Sequence, residues 1–247
     1  VALDLDAPNI VIVDVDAGIP LAERQAVAAA LQIQVRRDFA PLWGVGDNCT
    51  VTVAVPGGVI SPTAWQMQLR KVPTIQGALG YHDRTSTGYP ILYIFPELCA
   101  QDGTNWSSCA SHEVLEALAD PELRCCEQLT DGLIAAREVC DQVEALTYLI
   151  NGVAVSDFNT VDNFAPPSTG AKYDFLGKQA APFQNLSGGY SQVYDSSTGW
   201  QQIMADKISG YRQKMAELGL SRGVRRALKR PAKKSLIKRV LSVLKFW

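Results

Sequence analysis

Apolar positions along the chain follow two rhythms. Asn9–Asp16 (NIVIVDVD) is a near-continuous apolar run ending in acidic, turn-forming residues, the pattern of a buried strand. From Leu21 to about Ala40 the spacing becomes helical, with Val27, Leu31, Val35 and Phe39 on one stripe. Pro20 suits the first turn of that helix, and Pro41 and Gly44 are expected to stop it. Cys49–Val55 (CTVTVAV) alternates and is β-branched, so it predicts a strand, closed by the turn Pro56-Gly57-Gly58. Residues 60–80 fit neither period, and His82 just beyond them is expected in a loop. Tyr89–Phe95 (YPILYIF) predicts a second apolar strand, edge-like in its position. After it come a polar loop, Gln101–Ser108, and a helix over roughly Cys109–Ala119 that Asp120-Pro121 ends. Residues 122–137 read as irregular, Leu149–Phe158 as a hairpin about Asn151-Gly152, and residues 159–200 as loops with short strands. A helix is expected over Gln201–Leu218, and no internal repeat is present. This order predicts an α+β fold with a mixed sheet, a central functional helix and a loop-rich C-terminal half.

Composition adds one feature that the pattern does not show. The chain has 247 residues, enough for a sizeable core, and no apolar run reaches the roughly 18 residues needed to span a bilayer. The first residues lack the basic stretch and apolar segment of a signal peptide. Net charge is only −2, but no acidic residue follows Glu217, and ten basic residues lie between Arg222 and Lys245. The chain is therefore read as a domain over residues 1–220 and a basic tail over 221–247. In the tail, Leu236, Ile237, Val240, Leu241, Leu244 and Trp247 share one helical face. Such a helix fits docking on a protein partner or on the acidic body of the same molecule, ahead of an anionic membrane surface or nucleic acid. The six cysteines leave two readings open, disulfides such as Cys99–Cys109 or buried thiols; no CxxC pair suggests a structural zinc knuckle.

Chemistry concentrates in Ser111–Pro121 (SHEVLEALADP). Residues four apart share a helix face, so His112 and Glu116 can converge on one ion, and imidazole nitrogen and carboxylate oxygen are both good zinc ligands. Glu113 stands beside the first ligand, where it can hold a water on the ion and take its proton as a general base. A third ligand must come from elsewhere, and Arg137–Glu144 (REVCDQVE) offers Glu138 and Asp141. Asp141 either ligates or orients His112 through its second ring nitrogen. His82, the only other histidine, is a candidate for a transition-state hydrogen bond or a fourth ligand. Asp120 reads as a helix terminator, and Asp14, Asp16, Asp157 and Asp162 as turn formers rather than a calcium site.

Residues 111–144 resemble the zincin-like metallopeptidases, in particular the gluzincin layout of HExxH followed at a distance by ExxxD. Here Glu116 replaces the second histidine, and the distal element is Glu138-x-x-Asp141, one residue shorter. Over about residues 10–200 the chain also resembles a group of bacterial and phage proteins. They carry a SHEvlE…DP motif, a downstream E-x-C/A-D-P-V-E segment, a VSDF stretch (Val155–Phe158) and GYHD (Gly80–Asp83). The resemblance implies a zincin-like fold, one zinc ion held by His112, Glu116 and either Glu138 or Asp141, and hydrolysis of a peptide or protein substrate with Glu113 as base. The alternative is a non-catalytic zincin-like structural or interaction protein, such as a phage particle component, docking through the basic helix.

Overall fold

Ile10, Val11 and Ile12 are all buried, although successive strand residues point to opposite faces, so their strand is covered on both sides. This is β1 (Asn9–Asp14) in a computed structural model that describes residues 3–205 apart from 74, 76, 77, 130, 131 and 166–169. The basic tail and most of the expected helix at 201–218 lie outside the described residues.

After β1 comes α1 (Leu21–Ile33), which continues through a π-helical segment, Gln34–Phe39, into a last turn, α2 (Ala40–Trp43). The helix therefore passes Pro41 and stops at Gly44, whose φ of 66° and N–H bond to Ala40 O close it. The π segment explains the difference from expectation. Ala40 N–H reaches back five residues to Val35 O, so the hydrogen-bond register is already shifting where Pro41 has no N–H to give.

Four more strands complete the main sheet: β2 (Thr50–Val53), β3 (Trp65–Leu69), β4 (Gly80–Arg84) and β5 (Pro90–Ile94). Their order is β2-β1-β3-β5-β4, parallel throughout except for β4, which runs antiparallel to β5. Two expectations are corrected here. The Tyr89–Phe95 strand is interior, not edge-like, and His82 lies on a strand at the sheet edge, 3% exposed, rather than in a solvated loop. In β3, Trp65, Met67 and Leu69 are buried, while Gln66, Gln68 and Arg70 hydrogen-bond along the other face and Arg70 covers the Tyr93 ring.

Helices α3 (Pro96–Asp102) and α4 (Trp106–Ala119) follow β5. Residues 122–137, expected to be irregular, contain β6 (Cys126–Gln128) and β7 (Ile134–Ala136). The hairpin is as expected: β8 (Thr147–Ile150) and β9 (Val153–Ser156) turn at Asn151 and Gly152, both at positive φ. The last strands are β10 (Tyr190–Asp195) and β11 (Gly199–Met204); the latter replaces the start of the helix expected from Gln201. Together they form a second sheet, ordered β11-β10-β7-β6. The fold is α+β.

Helix α4 lies between the two halves of this architecture, against β4 and β5 on one side and β9 on the other. Its Leu115 and Leu118 join Ile12, Leu31, Met67, Leu92 and Phe158 in a single core, each at most 1% exposed. Fully burying such a side chain contributes about 1.5–3 kcal/mol. The apolar residues thus fix the helix, leaving its polar residues to be accounted for by other means.

Candidate metal centre

Of the fourteen residues of α4, only Cys109 and Ala119 are not buried. Polar side chains on such a helix need partners inside the protein. Those of α4 point two ways.

Behind the helix, Ser111 Oγ donates to Gln34 Oε1 at 2.6 Å and accepts the Ser156 N–H at 3.0 Å. Gln34 Nε2 donates to Ser156 O and to the Tyr148 hydroxyl, which in turn donates to Asp38 Oδ2. Gln34 and Asp38 both come from the π segment. The widened turn therefore carries the polar residues that lock α4 to the β8–β9 hairpin.

In front, two imidazoles meet four carboxylates. His112 (4% exposed), Glu113 and Glu116 come from α4, His82 from β4, Glu138 from the loop after β7, and Asp141 from the short 3-10 turn Asp141–Val143. His112 Nε2 lies 3.0 Å from Glu116 Oε1 and 3.2 Å from Asp141 Oδ1. Nε2 is buried, and neither contact meets the geometry of a hydrogen bond. Two donors held about 2.0–2.2 Å from a tetrahedral ion are themselves about 3.3–3.6 Å apart, close to these separations. Asp141 faces the same nitrogen as Glu116, which places it beside a ligand position and not on the second ring nitrogen, as one expectation had it.

His82 Nδ1 lies 3.0 Å from Glu113 Oε2 and 3.7 Å from Glu116 Oε2, and its Nε2 is buried without a hydrogen bond. Donor atoms within 4.8 Å of one another form two triads, His112–Glu113–Glu116 and His82–Glu116–Glu138, with Glu116 common to both. The sequence-derived set of His112, Glu116, Glu138, Asp141, Glu113 and His82 is thus gathered into one cluster. Glu138, however, groups with His82 rather than with His112.

Two glycines permit this convergence. A Cβ on Gly80 would meet Glu113 Cγ at 3.2 Å and Tyr93 O at 3.2 Å, so its absence lets β4 lie directly on the helix. A Cβ on Gly189 would fall 2.2 Å from Gln142 O and 2.9 Å from Asp141 O, so the approach to β10 presses on the turn that carries Asp141.

The electrostatics favour a cation. Burial by itself would lower the His112 pKa, but the charge of Glu116, with the close Asp141 and Glu113 carboxylates, outweighs it and holds the ring well above its usual value. Nearby Cys140 is pushed the other way from a ligand: burial, then the Glu116 and Asp141 charges, raise its thiol well above the usual range. Cys99 Sγ lies 3.2 Å from Cys109 Sγ, a thiol–thiol contact and not a disulfide.

Residues outside the cluster have turn duties. Asp120 accepts the N–H groups of Arg124 and Cys125, and Asp14 those of Ala17 and Gly18. An open cleft of about 530 Å³ beyond β1 and β2, lined in part by Asp14, Asp16 and Arg24, shares no residue with the cluster. Signals for Gln34 and Ser111 were hard to read from sequence, since their partner residues are 77 positions apart. No family model, curated protein or solved structure matches this chain.

Proposed function

We propose that the chain is a zinc-dependent hydrolase, acting as a metallopeptidase, with His112 and Glu116 as ligands and Glu113 as general base. The observation that carries this reading is the buried His112 Nε2, without a hydrogen bond, facing carboxylate oxygens of Glu116 and Asp141 on one side of a helix that also carries Glu113. The resemblance of residues 111–144 to zincin-like metallopeptidases points the same way. A zinc ion at such a site supplies a Lewis acid and brings the pKa of a coordinated water to about 7.

The residues of the chain do the rest. Glu113 takes a proton from the attacking water and returns it to the leaving amine. His82, 3.0 Å from Glu113 Oε2, orients that carboxylate and is the candidate hydrogen-bond donor to the developing oxyanion. β4 is the last strand of its sheet, so its outer edge is suited to receive an extended peptide as an added strand next to Glu113. The test is digestion of a broad peptide library by wild type and Glu113→Gln, each with and without residues 222–247. Wild-type cleavage falling by about 10²–10⁴ in the variant, with metal content unchanged, is expected.

One observation favours a second reading. All six residues of the cluster are at most 4% exposed. An ion there would serve as a structural rivet in a non-catalytic interaction protein, such as a phage particle component, with the basic segment 222–247 as its docking element. Metal-loaded protein that cleaves nothing in either form decides for this reading.

A further inference from the structure

We infer that the cluster is built for two divalent cations, with Glu116 bridging them. This deepens the metal-binding reading above and rests on it, but goes beyond a single zinc site.

The two oxygens of Glu116 face different imidazoles. Oε1 lies 3.0 Å from His112 Nε2 and Oε2 lies 3.7 Å from His82 Nδ1. Each imidazole has its own carboxylate besides: Asp141 Oδ1 stands 3.2 Å from His112 Nε2, and Glu138 completes a triad with His82 and Glu116. One ion is placed at the His112–Glu113–Glu116 group, with Asp141 Oδ1 beside the same histidine nitrogen, and the other at the His82–Glu116–Glu138 group. Glu113 sits between them, in the His112 triad and 3.0 Å from His82 Nδ1. His112 Nε2, the nitrogen that faces Glu116 Oε1, is buried without a hydrogen bond, as is Nε2 of His82, whose Nδ1 contacts Glu113 Oε2.

The sequence motif conceals this arrangement, since the second site takes His82 from an edge strand 31 residues before Glu113 and Glu138 from a loop beyond β7.

The experiment is metal stoichiometry on the full chain, stripped with chelator and reloaded with Mn²⁺. Manganese prefers carboxylate and imidazole over thiolate, so the six cysteines do not contribute. Two Mn²⁺ per chain are expected. Ions sharing a carboxylate lie about 3.5–4 Å apart, so the frozen-solution EPR spectrum should be that of an exchange-coupled pair. His82→Ala and the near-isosteric Glu138→Gln should each reduce the content to one ion and restore the six-line spectrum of isolated Mn²⁺. One ion in wild type, unchanged in both variants, would overturn the pair and leave the single-site hydrolase reading standing. Two uncoupled ions, or two that survive both substitutions, would place the second ion elsewhere and overturn it as well. No ion at all would remove both readings.

Discussion

Asp157 shows how far a single buried carboxyl can be pushed by its surroundings. It is fully buried, and its Oδ1 accepts the N–H groups of Phe158 and Leu176. Burial, then the neighbouring Asp174 carboxyl, raises its pKa to about 8. An unfolded aspartate titrates near pH 3.9, at about the reference value, so between there and about pH 8 the native chain holds a proton that the unfolded chain has lost. The stability linked to that proton is full below about pH 4 and gone once the pH has risen through about 8, a decline on the order of a few kcal/mol. Asp157→Asn keeps the acceptor and places an N–H₂ where the proton sits, so its unfolding free energy should be flatter across pH 5–8 and higher than wild type at pH 8. Denaturant melts at several pH values check this, and parallel curves for both proteins would refute it. At the same scale, Gly189→Ala forces a methyl to within 2.2 Å of Gln142 O. The expected loss is about 1–3 kcal/mol, with weaker metal binding, because the displaced turn carries Asp141. Unchanged metal affinity in a destabilised Gly189→Ala would show that the turn moves without its carboxylate.

Elements differ in how plainly the sequence announces them. β1 and α4 are legible because each is a contiguous pattern: an apolar run, and a helix with a proline-marked end. The hairpin is legible because Asn151 and Gly152 both adopt positive φ, which few other pairs tolerate. β6 and β7 are only three residues each, too short to show a period, and they form because β10 pairs with β7 and β7 with β6. β4 is hidden for a related reason. GYHDR has little strand character alone and is a strand through its pairing with β5, where His82 stands opposite Leu92. The helical residues of the site and the distal carboxylates were therefore readable, and His82 was a candidate, but the strand that carries it was not readable, because its place depends on sheet closure. The π segment is equally silent in sequence, yet it delivers Gln34 to Ser111. Gln34→Ala removes one partner from each of three groups, the buried Ser111 and Ser156 O and the half-buried Tyr148. About 1–3 kcal/mol of stability should be lost. The stacked hydrophobic contacts of α4 remain, so circular dichroism should show a native helix content. A neutral effect on melting would mean that the network does not hold α4.

For the whole molecule, one cluster of buried ionisable side chains joins the second sheet to the first. α4 and β4 supply His112, Glu113, Glu116 and His82 from the main sheet's side, while Glu138 and Asp141 come from the segment that leaves β7 of the second sheet. An ion bound there, as proposed, would tie together segments distant in sequence and bind only the folded chain. Ligand at a hundredfold excess over Kd adds about 2.7 kcal/mol of stability, and a domain of this size gains about 2–4 °C in Tm per kcal/mol. Chelator should accordingly lower Tm by about 5–10 °C at neutral pH, and added zinc should restore it. Acid must weaken the effect. Ligands bind in their deprotonated forms, and His112, held well above its usual pKa by the surrounding carboxylates, competes for a proton before it can take a metal. The gap between loaded and stripped protein should narrow steadily as pH falls towards 5, while a structural cluster that binds no ion gives the same Tm with and without chelator at every pH. Calorimetry of both forms at pH 5, 6, 7 and 8 separates these outcomes, because a gap that stayed constant across the series would place the ion on groups other than these histidines and carboxylates.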